Sequence, residues 1–431
     1  MKMEMAYWSE LPKSLFESIL EKLSTMDIIR VKMVCTSWFS MVDAYISSPI
    51  SASMRRSLVL MTSHQLEGDK SGKYFSFLSV ADNKVYKLQN MSEELRDGLC
   101  VGSSHGWLLF LDKNLDLCLY NPFSKARKQV SSLRNFPYVQ NIKFRPPSGY
   151  GIYIIDEDRH CVVQSTAQTA KEMPEFFIHK AILFSKTNPS LGDNKFGLLV
   201  IHVVGQSAFR SQLAFYDSEV GQWTKLGERG GGYDEGYFDI IHHNRQFYAL
   251  RKDLLEIWDY DGHFPMKIKE VNLSLDERYR SIQQSQNFWN NVQYYIVESE
   301  GKILHVTRII AILINIDDLV RGPNGKFQLY KTVSFLVHMM DLEQEKLIQV
   351  ESLDGRAIFL GRNHSQSFSS HEISELEENS IYFTDYLWRG RGFDGHDMGI
   401  YDLKSKTVKP YLHDKIIDCG TPPFWLFANL C

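Results

Sequence analysis

Several short stretches of the chain hold residue types that can do chemistry. Gly102-Ser103-Ser104-His105-Gly106 fits the G-x-S-x-G spacing of a hydrolase nucleophile elbow, where a strained strand-to-helix turn exposes the serine hydroxyl. The next residues, Trp107-Leu-Leu-Phe-Leu111, read as a strand, so a hairpin turn accounts for the glycines better than an elbow does. Gly230-Gly-Gly-Tyr-Asp-Glu-Gly236 is glycine-rich, as a phosphate cradle is, but it lacks the G-x-G-x-x-G spacing and a helix after it. His242 and His243 are adjacent; in a strand they point to opposite faces and do not readily chelate one metal ion. Asp156-Glu157-Asp158 lies between apolar runs and reads as a solvated hairpin tip. Nowhere does the spacing join a nucleophile, a base and an orienting group. No catalytic, cofactor-binding or metal-ligating residue is therefore expected. The stretch best suited to gripping a partner is Trp388-Arg389-Gly-Arg391-Gly-Phe393, because arginine and tryptophan dominate binding hot spots. A plain surface loop explains the same composition.

The elements that carry these stretches change character near residue 50. Residues 8–48 are patterned as helices. Apolar side chains recur at helical spacing through Leu11, Leu15, Phe16, Ile19, Leu20 and Leu23, and Pro12 suits a first helical turn. Ser24 precedes Asp27 at a capping distance, so a second helix is expected from Thr25 and a third from about Thr36. About 40 residues rarely sustain a core unaided, yet the apolar residues here cover more than one helix face. The excess face serves either another subunit or the rest of the same chain.

After a linker at 49–57, residues 58–431 are patterned as short strands with turn dipeptides such as Asp261-Gly262, Asn324-Gly325, Asp354-Gly355 and Asp394-Gly395. No helical segments alternate with them, which argues against a parallel α/β sheet. An apolar or aromatic residue followed by Asn or Asp recurs: Tyr120-Asn121, Tyr216-Asp217, Trp258-Asp259, Met340-Asp341 and Tyr401-Asp402. The separations are 96, 42, 82 and 61 residues, and halving the first and third gives a period of roughly 40–50, the spacing of propeller blades. The expected architecture is α+β and multidomain: a small helical unit, then a large all-β domain forming a propeller of about six to eight blades. A large β-sandwich, or two stacked β-domains, fits the same strands.

Composition sets the outer limits. The chain has 431 residues, 44% of them hydrophobic, 23% charged and 13% aromatic, an ordinary globular profile leaning toward β-structure. A net charge of −4 gives no chain-wide field favouring nucleic acid or an anionic membrane. The run Ile309–Ile316 spans eight residues against the roughly 20 a membrane helix needs. Six scattered cysteines without a C-x-x-C pair point to free thiols in a reducing compartment. The sequons at Asn90, Asn272 and Asn363 read as chance matches.

Trp8-Ser-Glu-Leu11-Pro12, Leu15, Ile19-Leu20, Leu23-Ser24 and Val34-Cys35-x-x-Trp38 together resemble the F-box in order and spacing. That resemblance implies binding to the Skp adaptor of a cullin–RING ubiquitin ligase. It also implies that Leu11, Pro12, Leu15, Ile19, Leu20, Val34, Cys35 and Trp38 build or present the adaptor surface. Ser104-His105-Gly106-Trp107-Leu108 with Tyr120-Asn121-Pro122-Phe123, then Tyr294–Gly301, Phe359-Leu360-Gly361 and Ile381–Asp385, resembles the plant F-box proteins with a KIB-type β-propeller. The resemblance spans nearly the whole chain and implies a non-catalytic substrate receptor of an SCF-type ligase. Such a receptor would work in the cytoplasm or nucleus, recruiting a target protein for ubiquitination and proteasomal degradation. A propeller enzyme, or a scaffold working without a ligase, are the alternatives.

Overall fold

A computed structural model describes residues 8, 11–23, 25–32, 34–46, 56–65, 73–80, 84–88, 95, 98–112, 114–137, 139–145, 149–154, 178–185, 195–203, 211–227, 236–260, 264–273, 290–312, 320–321, 327–328, 330–371, 373, 376–385, 397–411 and 423–429. Three helices come first: α1 (Lys13–Leu20), α2 (Thr25–Lys32) and α3 (Thr36–Ile46). Pro12 sits at the N-cap of α1 with extended backbone, and its carbonyl accepts the first helical hydrogen bond, from the Phe16 N–H at 3.0 Å. The second helix starts at Thr25, where the capping pattern puts it, and the third at Thr36, as expected.

The strands after the helices form, among the described residues, five four-stranded sheets and one five-stranded sheet. Blade 1 joins Arg56–Gln65, Lys73–Ser79 and Val85–Leu88 to the C-terminal strand Phe424–Asn429. Blade 2 is Leu99–Ser104, Trp107–Leu111, Asp116–Tyr120 and Arg127–Ser132; blade 3 is Ile178–Ser185, Phe196–Val203, Ser211–Asp217 and Gln222–Leu226. Blade 4 is Asp239–His243, Gln246–Leu250, Leu254–Asp259 and Met266–Asn272; blade 5 is Asn290–Ser299, Lys302–Ile312, Tyr330–Asp341 and Lys346–Gln349. Blade 6 holds Arg356–Leu360, Gln366–Ser369, Ser380–Phe383, Gly399–Asp402 and Thr407–Pro410.

Each sheet is greasy on both faces because each has a neighbour on both sides. In blade 2, Leu109 and Leu111 turn toward blade 3 while Leu108 and Phe110 turn toward blade 1. In blade 3, Ala181 and Leu183 face blade 2, and Ile182 and Phe184 face blade 4. Similar shared cores join blades 4 and 5, 5 and 6, and 6 and 1, so the ring closes. Alternation sends successive side chains to opposite faces, and both faces are dry. This is why Trp107–Leu111 and Leu198–Ile201 are unbroken apolar runs instead of alternating ones. The chain's last described strand zips antiparallel onto its first, Asn429 opposite Arg56 and Phe424 opposite Met61.

The Asn/Asp repeat marks the end of the third strand of blades 2, 3 and 4, of the long Tyr330–Asp341 strand of blade 5, and of Gly399–Asp402 in blade 6. Its physical basis is a local turn. Asn121 Oδ1 accepts from the Phe123 and Ser124 N–H groups at 2.9 and 3.0 Å, and Asp217 Oδ1 accepts from Glu219 at 2.8 Å. Asp341 and Asp402 do the same for Glu343, Gln344 and Ser405. Halving the long separations is the wrong arithmetic. Between Asn121 and Asp217 lies the hairpin Val139–Arg145/Gly149–Ile154, and between Asp259 and Asp341 the small pair Val320–Arg321/Phe327–Gln328; neither is a blade. The blade number therefore falls at the low end of the expected range.

The axis of the ring is filled by a plug, residues 361–365 of blade 6. The His364 N–H donates to the Ser103 carbonyl of blade 2 at 3.1 Å, and Asn363 Oδ1 accepts from the Trp425 N–H of blade 1 at 3.3 Å. Ser365 Oγ accepts from Lys180 Nζ of blade 3 at 3.0 Å and donates to Asp239 Oδ2 of blade 4 at 3.2 Å. Lys180 and Asp239 form an ion pair, with side chains 3% and 0% exposed. Asp239 also accepts from the N–H groups of Ile240 at 2.7 Å and Ile296 of blade 5 at 3.0 Å. A Cβ at Gly361 would collide with Thr384 Oγ1 and Asn363 Oδ1, so the plug turns only with glycine there. Asn363 is fully buried in the plug, which bears out the reading of its sequon as a chance match.

Removing one partner of a buried ion pair strands the other charge. Asp239→Asn or Lys180→Met should each cost about 3–5 kcal/mol of stability, while the double change Lys180→Met/Asp239→Leu should cost less than either. Urea denaturation of the variants measures this; additive losses would show that the pair does not act as a unit.

Candidate functional site

The first helix carries two apolar stripes. Phe16 and Leu20, four residues apart, face inward and are buried with Ile28, Val42, Tyr45 and Ile46. Leu15 and Ile19, also four apart, face outward and are 56% and 40% exposed. Val34, between α2 and α3, is 61% exposed. One amphipathic stripe suffices to build this small core, and it does so with Leu11, Leu23, Val31, Trp38 and Met41 packed around it. The second stripe has no role in that core.

The remaining predicted residues fall into place around these. Pro12 is exposed at the start of α1; Leu11, Cys35 and Trp38 are half-buried. The Trp38 ring lies 5.2 Å from that of Phe16, and its Nε1–H donates to the Trp8 carbonyl at 3.0 Å. The Cys35 sulfur accepts from the Trp38 N–H at 3.5 Å. Trp38 thus ties the arm before α1 to the bundle. Leu20 is wholly buried, so within this chain it builds the unit and presents nothing to solvent. The structure adds Trp8 and Phe39, which are 67% and 49% exposed and which spacing alone does not mark as site residues. A signal for them exists in the sequence: both are large aromatics in a segment already overfull of apolar residues. The unit leans on blade 1, where the Arg30 guanidinium sits 4.7 Å from the centre of the Tyr86 ring.

Trp388, Arg389, Arg391 and Phe393 lie outside the described residues, but both flanks of that stretch are described. Buried Arg308 donates to the Thr384 carbonyl at 2.8 Å and to the Asp397 carbonyl and carboxylate at 2.9 and 3.0 Å. The Tyr330 hydroxyl lies 2.7 and 2.8 Å from the two Asp385 oxygens. Blade 5 therefore grips both flanks with side chains that sequence reasoning leaves unremarked; nothing in their spacing ties residue 308 to residue 397.

The chemical motifs resolve as turns. His105 and Gly106 take φ values of 50° and 78° in a two-residue hairpin between Ser104 and Trp107, so the G-x-S-x-G stretch is a strand-to-strand turn. Asp354-Gly355, at 51° and 77°, is also a tight turn, with the Arg356 N–H donating to the Leu353 carbonyl at 3.1 Å, but it leads from blade 5 into blade 6 and closes no hairpin. His242 and His243 lie in one strand of blade 4. The stretches 230–235 and 156–158, and the dipeptides at 261, 324 and 394, lie outside the described residues. Among the described residues no three His, Cys, Asp or Glu side chains group to hold a metal ion, and no helix is long and apolar enough to cross a membrane. Cys35, Cys100 and Cys118 are free thiols.

The two stripes of α1 respond differently to truncation. Leu20→Ala should cost about 2–5 kcal/mol, enough to melt the helical unit, while Leu15→Ala should stay within about 0.5 kcal/mol. Hydrogen exchange over residues 13–46 checks this; equal loss of protection in both would contradict the two-stripe assignment.

Comparison with known proteins agrees with this geometry. A family model described as KIB1-4 beta-propeller matches residues 77–402, and one described as F-box domain matches residues 8–46. The chain is 23% identical to F-box protein SKIP23 of Arabidopsis thaliana over 99% of its own length and 97% of that protein's. It is 22% identical to F-box only protein 7 of the same plant, over 88% of this chain and 85% of that one. F-box domains in general join their proteins to Skp-type adaptors, which gives F-box proteins a general role as substrate receptors of SCF ligases. With a blade ring matched by one model and a three-helix unit matched by the other, the chain belongs to the plant F-box proteins that carry a KIB1-4 β-propeller.

Proposed function

We propose that the outward stripe of α1 is the docking face for a Skp-type adaptor and that the propeller holds a target protein for ubiquitination and degradation. Leu15, Ile19 and Val34 supply the apolar contacts. Pro12 sets the start of α1, and Leu11, Cys35 and Trp38 fix the shape beneath them. The observation that carries this reading is the pair of apolar stripes on one helix: the inner completes the bundle, and the outer remains in water. Burying each outer side chain against a partner would contribute about 1.5–3 kcal/mol before the costs of association.

In this reading the chain does no bond chemistry itself. It raises the effective concentration of target lysines near the activated ubiquitin, as any linker of two binding events does. The rigid ring, closed by its own last strand, suits that task because it fixes the distance between adaptor and target. Free thiols at Cys35, Cys100 and Cys118 suit a reducing compartment, in keeping with work in the cytoplasm or nucleus.

Binding of the full-length chain to a purified Skp-type adaptor tests the proposal. Leu15→Glu, Ile19→Glu and Val34→Glu should each weaken binding by at least about tenfold, since a buried unpaired carboxylate costs well over about 1.4 kcal/mol. Circular dichroism should be unchanged, because all three positions are exposed in the free chain. Unaltered affinity in the triple variant would sink the docking face.

A further inference from the structure

Three imidazoles converge beside the axial plug from alternate blades. His105 stands in the two-residue turn of blade 2, His242 lies in the first strand of blade 4, and His364 belongs to the plug itself. The His105 and His364 rings are 5.2 Å apart. His364 is buried, His242 is half-buried against the Phe184 and Phe247 rings at 5.3 and 5.0 Å, and His105 is exposed.

The charged and titratable groups around them are nearly all of one sign when protonated. His364 faces His105, His242 and Lys180; His242 faces His105 and His243. The polar neighbours are the Ser104 hydroxyl, 3.0 Å from His105 Nδ1, the Leu183 carbonyl, and the Gln366 amide nitrogen, 3.2 Å from His364 Nδ1. The carboxylate of the plug, Asp239, is already engaged by Lys180, Ser365 and two backbone N–H groups.

We infer that this cluster makes the axial plug a proton-sensitive latch on the ring. A proton placed on His364 faces His105, His242 and Lys180, with the plug's carboxylate already occupied. The strain falls on His364, whose backbone N–H holds blade 2, and on its neighbour Asn363, whose side chain holds blade 1. Burial, with added repulsion from His105, holds His242 down to about 4 and His364 well below the ordinary histidine range. An opened plug would restore values of about 6.5, so the open state takes up protons that the closed state refuses. The latch is therefore secure above about pH 6.5 and loosens as pH falls from there toward about 4.

Hydrogen exchange of the full chain, corrected for the intrinsic effect of pH, reads the opening directly. From about pH 7.5 to about pH 5.5, protection over residues 361–366 should fall about tenfold for each imidazole protonated on opening. The blade 4 strand Gln246–Leu250 should keep its protection. His364→Gln and His242→Gln each remove one imidazole that takes up a proton on opening, so each should flatten the fall. Unchanged protection in the wild-type plug, a fall shared equally by Gln246–Leu250, or an equal fall in wild type and His364→Gln would overturn the latch.

Discussion

The buried ion pair of Lys180 and Asp239 sits where the ring's blades meet. Lys180 and Asp239 come from adjacent blades, and taking two charges out of water costs several kcal/mol for each ion. That cost is offset only because the surroundings complete the hydrogen bonding. Ser365 bridges the pair from blade 6, and the Ile296 N–H reaches the carboxylate from blade 5. Four blades thus share one electrostatic centre, and His364 and Asn363 extend it to the other two. Geometry at this point fixes how closely the innermost strands approach, and hence the width of the whole ring.

Around that polar centre, stability comes from apolar surface. Every blade is a filling between two others, so the side chains of its inner strands are mostly buried whichever way they point, while outer strands such as Met266–Asn272 stay largely exposed. The arrangement has no free end: the strand Phe424–Asn429 pairs with Arg56–Met61, so the last described strand completes the first blade. A ring closed in this way resists local opening, because loosening one blade exposes two cores. It is a suitable base for the clamp in which Arg308 and Tyr330 of blade 5 hold Asp397 and Asp385 of blade 6.

The helical unit obeys the opposite logic. It is too small to bury all its apolar residues, and it does not try to. Phe16, Leu20, Ile28, Val42, Tyr45 and Ile46 make a core, and Leu15, Ile19, Val34, Trp8 and Phe39 are left in water. Exposed residues of this size, gathered in one short segment, are the feature on which the proposed docking face rests. Its contact with blade 1 through Arg30 and Tyr86 joins this surface to the ring.

Much of this is legible in the sequence because it depends on neighbours along the chain. The helix starts at Thr25 and Thr36, the Asn and Asp turns at the strand ends, and the glycine hairpin at His105-Gly106 all arise from local geometry and local hydrogen bonds. The doubled apolar content of the first helix is equally visible, though not which stripe is core: Leu15 and Leu20 are alike as letters, and only packing against α3 distinguishes them. The blade number is blurred because insertions stretch the repeat without adding blades. The Lys180–Asp239–Ser365 centre and the Arg308 clamp are beyond sequence reasoning altogether. Their members lie between about sixty and nearly two hundred residues apart, and no spacing rule links side chains that meet only when a ring closes. Sequence decided every turn and strand that a few adjacent residues can form by themselves; the tertiary structure decided which charges share the axis, since burial and pairing exist only after the blades have assembled.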